Sequence, residues 1–351
     1  MSRKSITLRG VTVGGGAPIA VQSMTNTRTD DVTATVAQIQ ALEAQGCEIV
    51  RLAVPDMASA QAFGAIREQV DLPMVADIHF DYRLALEAIA AGADKIRINP
   101  GNIGDDDKVR QVVNACAQKG LPIRIGVNGG SLEREILAKF GHTPEAMVES
   151  ALHHVAILNR FDFDHICLSV KSSSVPDTVK AYRLLHARTG YPLHLGVTEA
   201  GTAYMGTIKS AIGIGSLLLD GIGDTIRVSL TDDPVAEIGV AKAILQSVGL
   251  RQFSPNVIAC PTCGRCKIDL ISLAQEVETR LKDSTQEITV AVMGCAVNGP
   301  GEAREADFGI AGGDGEGLLF AQGEIIGKVP MEHLVDALMD LINTPGKKKE
   351  T

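Results

Sequence analysis

Short apolar runs recur along the first 248 residues, each ending in polar side chains and followed by a stretch with apolar residues at three- and four-residue spacing. The runs begin near Ile19, Ile49, Met74, Lys95, Ile123, His165, His194 and Thr225, at intervals of 21 to 42 residues, the length of one strand-plus-helix unit. Residues 32–45, 58–69 and 235–247 read as helices, and Gly46, Gly92, Gly120 and Gly190 stand where such helices terminate. Eight consecutive units with near-continuous apolar strands predict a closed parallel (β/α)8 TIM barrel. An open doubly wound sheet is the competitor, but no Gly-x-Gly-x-x-Gly follows the first strand. Residues 5–15 read as a hairpin ahead of the barrel, and the longest interval holds an extra segment, 129–142.

The pattern stops near Gly249, and residues 251–256, with Pro255, read as a linker. Beyond it come a cysteine-rich stretch, a helix (268–282), a strand (288–293), strands near 308–310, 318–320 and 325–329, and a last helix (331–342). The expectation is α/β overall: a barrel domain over 1–250 and an α+β domain over 257–351.

Composition narrows the functional classes. A hydrophobic fraction of 45% supports a sizeable core, yet no run reaches the length of a membrane span. A net charge of −9 argues against a nucleic-acid partner, and Lys347, Lys348 and Lys349 read as a solvated tail. No apolar stretch follows the charges of the first residues, so the expected location is the cytoplasm. Cysteines there more often mean metal or catalysis than disulfides.

Chemistry in a TIM barrel sits at the C-terminal strand ends. Those ends carry Gln22 and Ser23, Arg51, Asp77 with His79, Arg97 with Asn99, Arg124 with Asn128, Ser169 with Lys171, Thr198 with Glu199, and Arg227 with Ser229. Arg51, Arg97, Arg124, Lys171 and Arg227 bring five cations to one mouth of an acidic protein. Asp77, Glu199 and Asp224 could pair some of them, but too few acids are in sight to pair all, which points to an anionic ligand. Arginines grip phosphate bidentately, so a diphosphate suits the site better than a single carboxylate. Arg51, Asp77, His79, Arg97, Arg124, Asn128, Lys171, Arg227 and Ser229 form the candidate substrate-binding set. Glu199 is either a proton donor or a partner of Lys171 or Arg227, and His79 either meets the ligand or orients the rim.

Seven cysteines divide unevenly. Cys47, Cys116 and Cys167 are scattered and read as small buried hydrophobes, whereas Cys260, Cys263, Cys266 and Cys295 crowd the C-terminal part. Cys260-Pro-Thr-Cys263-Gly-Arg-Cys266 and Met293-Gly-Cys295 lie in Gly/Pro-rich loops. Spacing leaves three readings open: an iron–sulfur cluster, which wants about four ligands from separated loops; a zinc site, which wants a second close ligand pair; and a redox dithiol.

Those motifs resemble the bacterial 4-hydroxy-3-methylbut-2-en-1-yl diphosphate synthase family, as do Val21-Gln-Ser-Met-Thr-Asn-Thr, Val75-Ala-Asp-Ile-His-Phe, Ile98-Asn-Pro-Gly-Asn-Ile-Gly and Val197-Thr-Glu-Ala-Gly. The resemblance runs from the first barrel strand past Glu302. It implies a dihydropteroate synthase-like barrel and a [4Fe–4S] cluster bound by Cys260, Cys263 and Cys295, with Glu302 as a displaceable fourth ligand. It further implies that the mouth cations, with Asn128 and Ser229, grip a cyclic diphosphate, and that Glu199 delivers a proton during a two-electron reductive ring opening. Flavodoxin or ferredoxin is the implied electron donor. A homodimer is implied, the cluster domain of one subunit capping the barrel of the other. Cys266 departs from the family motif and could supply a fourth thiolate or pack along the following helix. Two other classes remain: a non-redox phosphate-binding barrel with a structural zinc module, and an electron carrier whose barrel is only a scaffold.

Overall fold

The computed structural model describes residues 2–130, 132–266, 268–295, 301 and 303–344. The chain divides into two compact units, Met1–Arg251 and Gln252–Thr351. Among the described residues no helix is long and apolar enough to cross a membrane.

In the first unit, a hairpin of β1 (Ser5–Leu8) and β2 (Val11–Gly14) precedes eight parallel strands. These are β3 (Ala20–Met24), β4 (Ile49–Ala53), β5 (Met74–Asp77), β6 (Lys95–Ile98), β7 (Ile123–Asn128), β8 (Ile166–Lys171), β9 (His194–Leu195) and β10 (Thr225–Ile226). Each lies within one residue of where the apolar runs placed it. The sheet runs β8-β7-β6-β5-β4-β3-β10-β9, and a parallel bridge between Leu168 and Leu193 joins its two ends, with the Leu168 N–H donating to the Pro192 carbonyl. The strands therefore form a closed barrel.

Helices follow the strands because most βα segments end in a residue whose side chain caps the next helix, Glu133 and Thr202 being the exceptions. Asp31, Asp56, Asp81, Asp105, Thr143, Ser174 and Asp233 all accept from a backbone N–H in the first turn. Gly120 ends its helix in the left-handed region at φ 66°, as expected of a C-terminal glycine. Gly190 does not: Thr189, in extended conformation, closes that helix instead. The extra segment after β7 forms a short helix, Arg134–Phe140.

Side chains alternate along each strand, and the inward set is layered. The lowest layer is apolar. Ile6, Leu8 and Val13 of the hairpin pack on inward-facing Ala20, Ile49, Val75 and Cys167, closing the N-terminal end of the barrel. Asp224 ties this plug down by accepting from the Ser2 N–H and hydroxyl. Cys47, Cys116 and Cys167 are all buried, as read from sequence.

The second unit carries β11 (Asn256–Ala259), β12 (Thr289–Met293), β13 (Phe308–Ala311), β14 (Glu316–Ala321) and β15 (Glu324–Pro330) in one sheet of that order. The first three run parallel and the last three antiparallel. Val290 and Val292 of β12 turn to one face, where Val277 and Leu281 of helix Leu270–Leu281 and Leu334 and Leu338 of helix Leu334–Asn343 complete the core. Ala291 and Met293 turn to the other, against Phe320, Ala303 and Ala306. β11 corrects the sequence reading, which gave Asn256 to a linker. Three apolar residues between Pro255 and Cys260 are too few to show a period, and pairing along β12 makes the strand.

The apolar plug gives a direct test. Leu8→Ala removes a side chain 1% exposed between hairpin and barrel, and should cost about 2–5 kcal/mol in denaturant unfolding.

Candidate functional site

Above the apolar layer the barrel interior turns polar. Arg51, Asp77, Arg97, Arg124, Asn128, Lys171, Arg227, Ser229 and His79 all line one cavity of about 260 Å³ at the C-terminal strand ends, together with Gly126, Ser169 and Thr198. Every residue of the candidate substrate-binding set is in this lining. Glu199 lines an adjoining cavity of about 500 Å³ that shares Asn128 and Thr198 as walls. The segment after β7 contributes Gly129, Gly130 and Leu132 to that second cavity.

Asp77 is the anchor of the first cavity. Its carboxylate accepts from Arg97 Nη1 at 2.9 Å and lies 3.6 Å from Arg51 Nε and 3.8 Å from His79 Nε2. Burial alone would raise this carboxyl, but Arg51, Arg97 and Arg124 outweigh it and hold it below the usual carboxylate range. Arg51 also donates to Met24 Sδ.

Sequence reading missed Glu237. It sits on helix Pro234–Ser247, 2% exposed, and accepts from Arg227 Nη2 at 3.1 Å, Arg227 Nε at 3.2 Å, the Ser23 hydroxyl and the Leu230 N–H. The signal was available: Glu237 occupies a place in the helix's buried stripe, beside Ile238 and in phase with Ala241 and Ile244. Asp224, considered as a partner for the mouth, is spent on Ser2 and the Leu193 N–H. Glu199 pairs with neither Lys171 nor Arg227, and makes no ion pair among the described residues. It is exposed and held at φ 52°, a left-handed conformation uncommon for a residue with a Cβ.

The balance is therefore uneven: five cations face two carboxylates, Asp77 and Glu237. Arg124 Nε and Nη1 have no hydrogen-bond partner among the described residues. Burial pushes the Arg51 guanidinium down to about 9, Asp77 opposing and the neighbouring arginines adding. Burial likewise takes Arg124 down to about 10 and Lys171 well below its ordinary value. Two glycines keep room for these groups. A Cβ on Gly126 would stand 2.5 Å from Arg97 Nε, and one on Gly196 2.6 Å from Lys171 Nζ. Such a site, with donors in place and charge unsatisfied, can bind a multiply charged phosphate without reorganising.

In the second unit Cys260 follows β11 directly and Cys295 stands two residues after β12, so adjacent parallel strands deliver both to one sheet end. The Gly294 N–H donates to Cys260 Sγ at 3.1 Å, a backbone contact of the kind that stabilises ligating sulfur. Cys263 is exposed, and hydrogen bonds from the Arg265 backbone and then its side chain lower its thiol. Cys266 packs beside the core, its thiol donating to the Ile268 carbonyl, and lies so close to Gly294 that a Cβ there would be 2.8 Å from its sulfur. Glu302 lies outside the described residues. Among the described residues no three such groups converge on one metal position. The donor set nevertheless suits soft iron in kind: thiols from two loops, one already hydrogen-bonded by backbone.

The family model described as the GcpE TIM-barrel domain matches residues 3–242, and that of the GcpE protein C-terminal domain matches 256–344. A protein of Geobacter sulfurreducens named 4-hydroxy-3-methylbut-2-en-1-yl diphosphate synthase (flavodoxin) is 61% identical over 337 residues, 96% of either chain. One of the same name from Clostridium perfringens is 58% identical over 98% of this chain and all of its own. Among solved structures, Yersinia pestis dihydropteroate synthase overlaps 70% of this chain and 98% of its own at 16% identity and a TM-score of 0.49.

Lowered cations predict a proton signature. An anion in the cavity favours their charged forms, so binding should take up protons as pH rises toward 9 to 10, the range to which burial lowers Arg51 and Arg124, with Lys171 lowered as well. Calorimetry with sulfate, which does not itself titrate there, should give binding heats that vary with buffer ionisation enthalpy in the direction of uptake. Affinity should fall as pH rises through that window.

Proposed function

The chain belongs to the GcpE family, and on that premise we propose that it catalyses the two-electron reductive ring opening of 2-C-methyl-D-erythritol 2,4-cyclodiphosphate. The products are (E)-4-hydroxy-3-methylbut-2-enyl diphosphate and water, a step of non-mevalonate isoprenoid biosynthesis. The single observation that carries this reading is the cavity in which five cations face two carboxylates. A cyclic diphosphate supplies the missing negative charge.

Arg51, Arg97, Arg124, Lys171 and Arg227 bind the phosphate oxygens, and Asn128 and Ser229 add neutral hydrogen bonds. Asp77 and Glu237 orient arginines and do not meet substrate: Asp77 fixes Arg97 and Arg51, and Glu237 fixes Arg227. His79, at the rim, donates to the ligand. Glu199 holds the transferable proton. Its exposed carboxylate makes no ion pair among the described residues and lines the cavity that adjoins the anion site, within reach of a bound substrate. The proton goes to the departing hydroxyl, which leaves as water.

Cys260, Cys263 and Cys295 would hold a [4Fe–4S] cluster, with Glu302 as fourth ligand, and the cluster when bound supplies the two electrons one at a time. A carboxylate there suits exchange with substrate, since a hard oxygen holds soft iron less firmly than thiolate. Flavodoxin or ferredoxin is the electron donor, the former in keeping with the name of the relatives. The enzyme is cytoplasmic and works as a homodimer that completes each active site between subunits, a reading that rests on family resemblance.

Anaerobic turnover of the cyclic diphosphate by reconstituted protein with a low-potential reductant should yield the hydroxymethylbutenyl diphosphate by mass. Glu199→Gln should lower the rate by about 10²–10⁴ while iron content stays at the wild-type level. Cys295→Ser should lose both iron and turnover, and Cys266→Ser should keep both. Loss of iron in Cys266→Ser would show that the thiol assignment is wrong.

A further inference from the structure

Between the apolar plug and the anion cavity lies a layer that neither explains. Gln22, Lys95, His194 and Thr225 come from β3, β6, β9 and β10, with Arg124 of the cavity lining above them, and none of the five is more than 1% exposed. All face inward by the same alternation: Gln22 stands two residues beyond Ala20 of the plug layer, Lys95 two before Arg97, and Thr225 two before Arg227. His194 and Thr225 are register partners on neighbouring strands. Lys95 and His194 both feel the charges of Arg124 and Arg51, and His194 that of Lys95.

Their polar atoms are unspent. Gln22 Nε2 and Oε1, Lys95 Nζ, Arg124 Nε and Nη1, both ring nitrogens of His194 and Thr225 Oγ1 have no hydrogen-bond partner among the described residues. Leaving so many buried polar groups unpaired in one layer is prohibitive. N–H and O–H donors outnumber acceptors among them, so they cannot all satisfy one another. Lys95 and Arg124 are donors only, so each needs an acceptor. Gln22 Oε1 and one nitrogen of His194, which burial and the surrounding cations keep neutral, are acceptors that need a donor. A halide could answer the cations but not the acceptors. Water answers both, and a polar site offering several partners is where buried water is found.

We propose that Gln22, Lys95, His194 and Thr225 enclose a buried chamber filled by ordered water, and that Lys95 is a positioning residue that acts through this water to hold Arg124 toward the substrate phosphate. The role of Arg124 in that statement rests on the proposed function above. Lys95 touches no substrate. It stands two residues before Arg97 on the same strand, and the water links its ammonium to the unpartnered Arg124 Nε and Nη1.

The test uses the full-length, cluster-reconstituted enzyme and the cyclic diphosphate. Lys95→Met conserves volume and removes a buried charge, so the fold and Tm should hold. Calorimetry should show binding weakened about tenfold, with KM raised and kcat nearly unchanged. Lys95→Gln, whose amide still reaches water, should retain most of the affinity. Equal losses in both variants would make the effect one of charge alone and overturn the water-mediated role. Unchanged affinity in Lys95→Met, with Arg124→Met strongly weakened, would sink this proposal and leave the function standing. Unchanged affinity in Arg124→Met as well would remove the anion site itself. A high-resolution crystal structure of the wild type is independent of folding effects: waters bridging Lys95 Nζ and Arg124 Nε are expected. An empty chamber, or a bromide peak there after soaking, would overturn the assignment.

Discussion

Five cations at the strand ends of the barrel share two carboxylates, and much of the surrounding structure answers to the cost of keeping them there. Desolvating a charge is expensive, and a pair repays it only when geometry and further hydrogen bonds are good. Asp77 and Glu237 each receive several donors, so neither carboxylate is wasted on a single bond. Arg124 and Lys171 form no ion pair with a carboxylate among the described residues, and burial first, then neighbouring arginines, lowers both. The barrel supports this strain from beneath. Its hairpin plug and helix-backed strands form an apolar frame in which inward positions cannot drift, and Gly126 and Gly196 leave space where two cations cross neighbouring strands. Stability given up at the mouth reappears as readiness for an anion.

That arrangement explains which parts of the protein were legible in the sequence. Parallel strands buried on both faces read as continuous apolar runs, so strand starts emerged within a residue of their true places. Charged residues at the ends of those runs are anomalous in a strand, which is why the mouth cations stood out as a set. Glu237 did not, because on a helix one charge among apolar neighbours breaks no alternation and shows only once the buried stripe is phased. β11 was hidden for a related reason: its three apolar residues become a strand only through pairing with β12, a long-range contact that no local pattern encodes. Gly190 misled because composition at a helix end fixes the place of termination but not its backbone form. Thr189 stops that helix by turning extended.

Lys95 shows the same limit from the opposite side. In sequence it opens an apolar run and passes for a strand residue with a snorkelling side chain. Only closure of the barrel places it in the interior with no exit to solvent. Polar residues one layer beneath a ligand site do not touch chemistry, yet they decide how rigidly the touching groups are held.

The two units treat their functional groups in opposite ways, and physical chemistry accounts for the difference. Arg97, Arg124 and Lys171 are buried and Arg51 and Arg227 half-buried, where a low effective dielectric would strengthen contacts with the proposed phosphate. Cys263 is exposed and Cys260, Cys266 and Cys295 only half-buried, on loops at one end of a sheet. A phosphate grip gains from being preformed and dry, since its ligand diffuses in complete. On the proposed function the second unit takes up a cluster, whose thiols must be deprotonated and reachable. Arg265 lowers the Cys263 thiol through its backbone and side chain, favouring the thiolate at the most accessible position. Gly294 meanwhile offers a backbone donor to Cys260 from the neighbouring strand end, a contact that stabilises sulfur carrying negative charge whether bare or ligating. On the proposed function, openness in the second unit is thus the counterpart of burial in the first: the barrel holds a site ready for substrate, and the second unit holds thiols ready for a cluster.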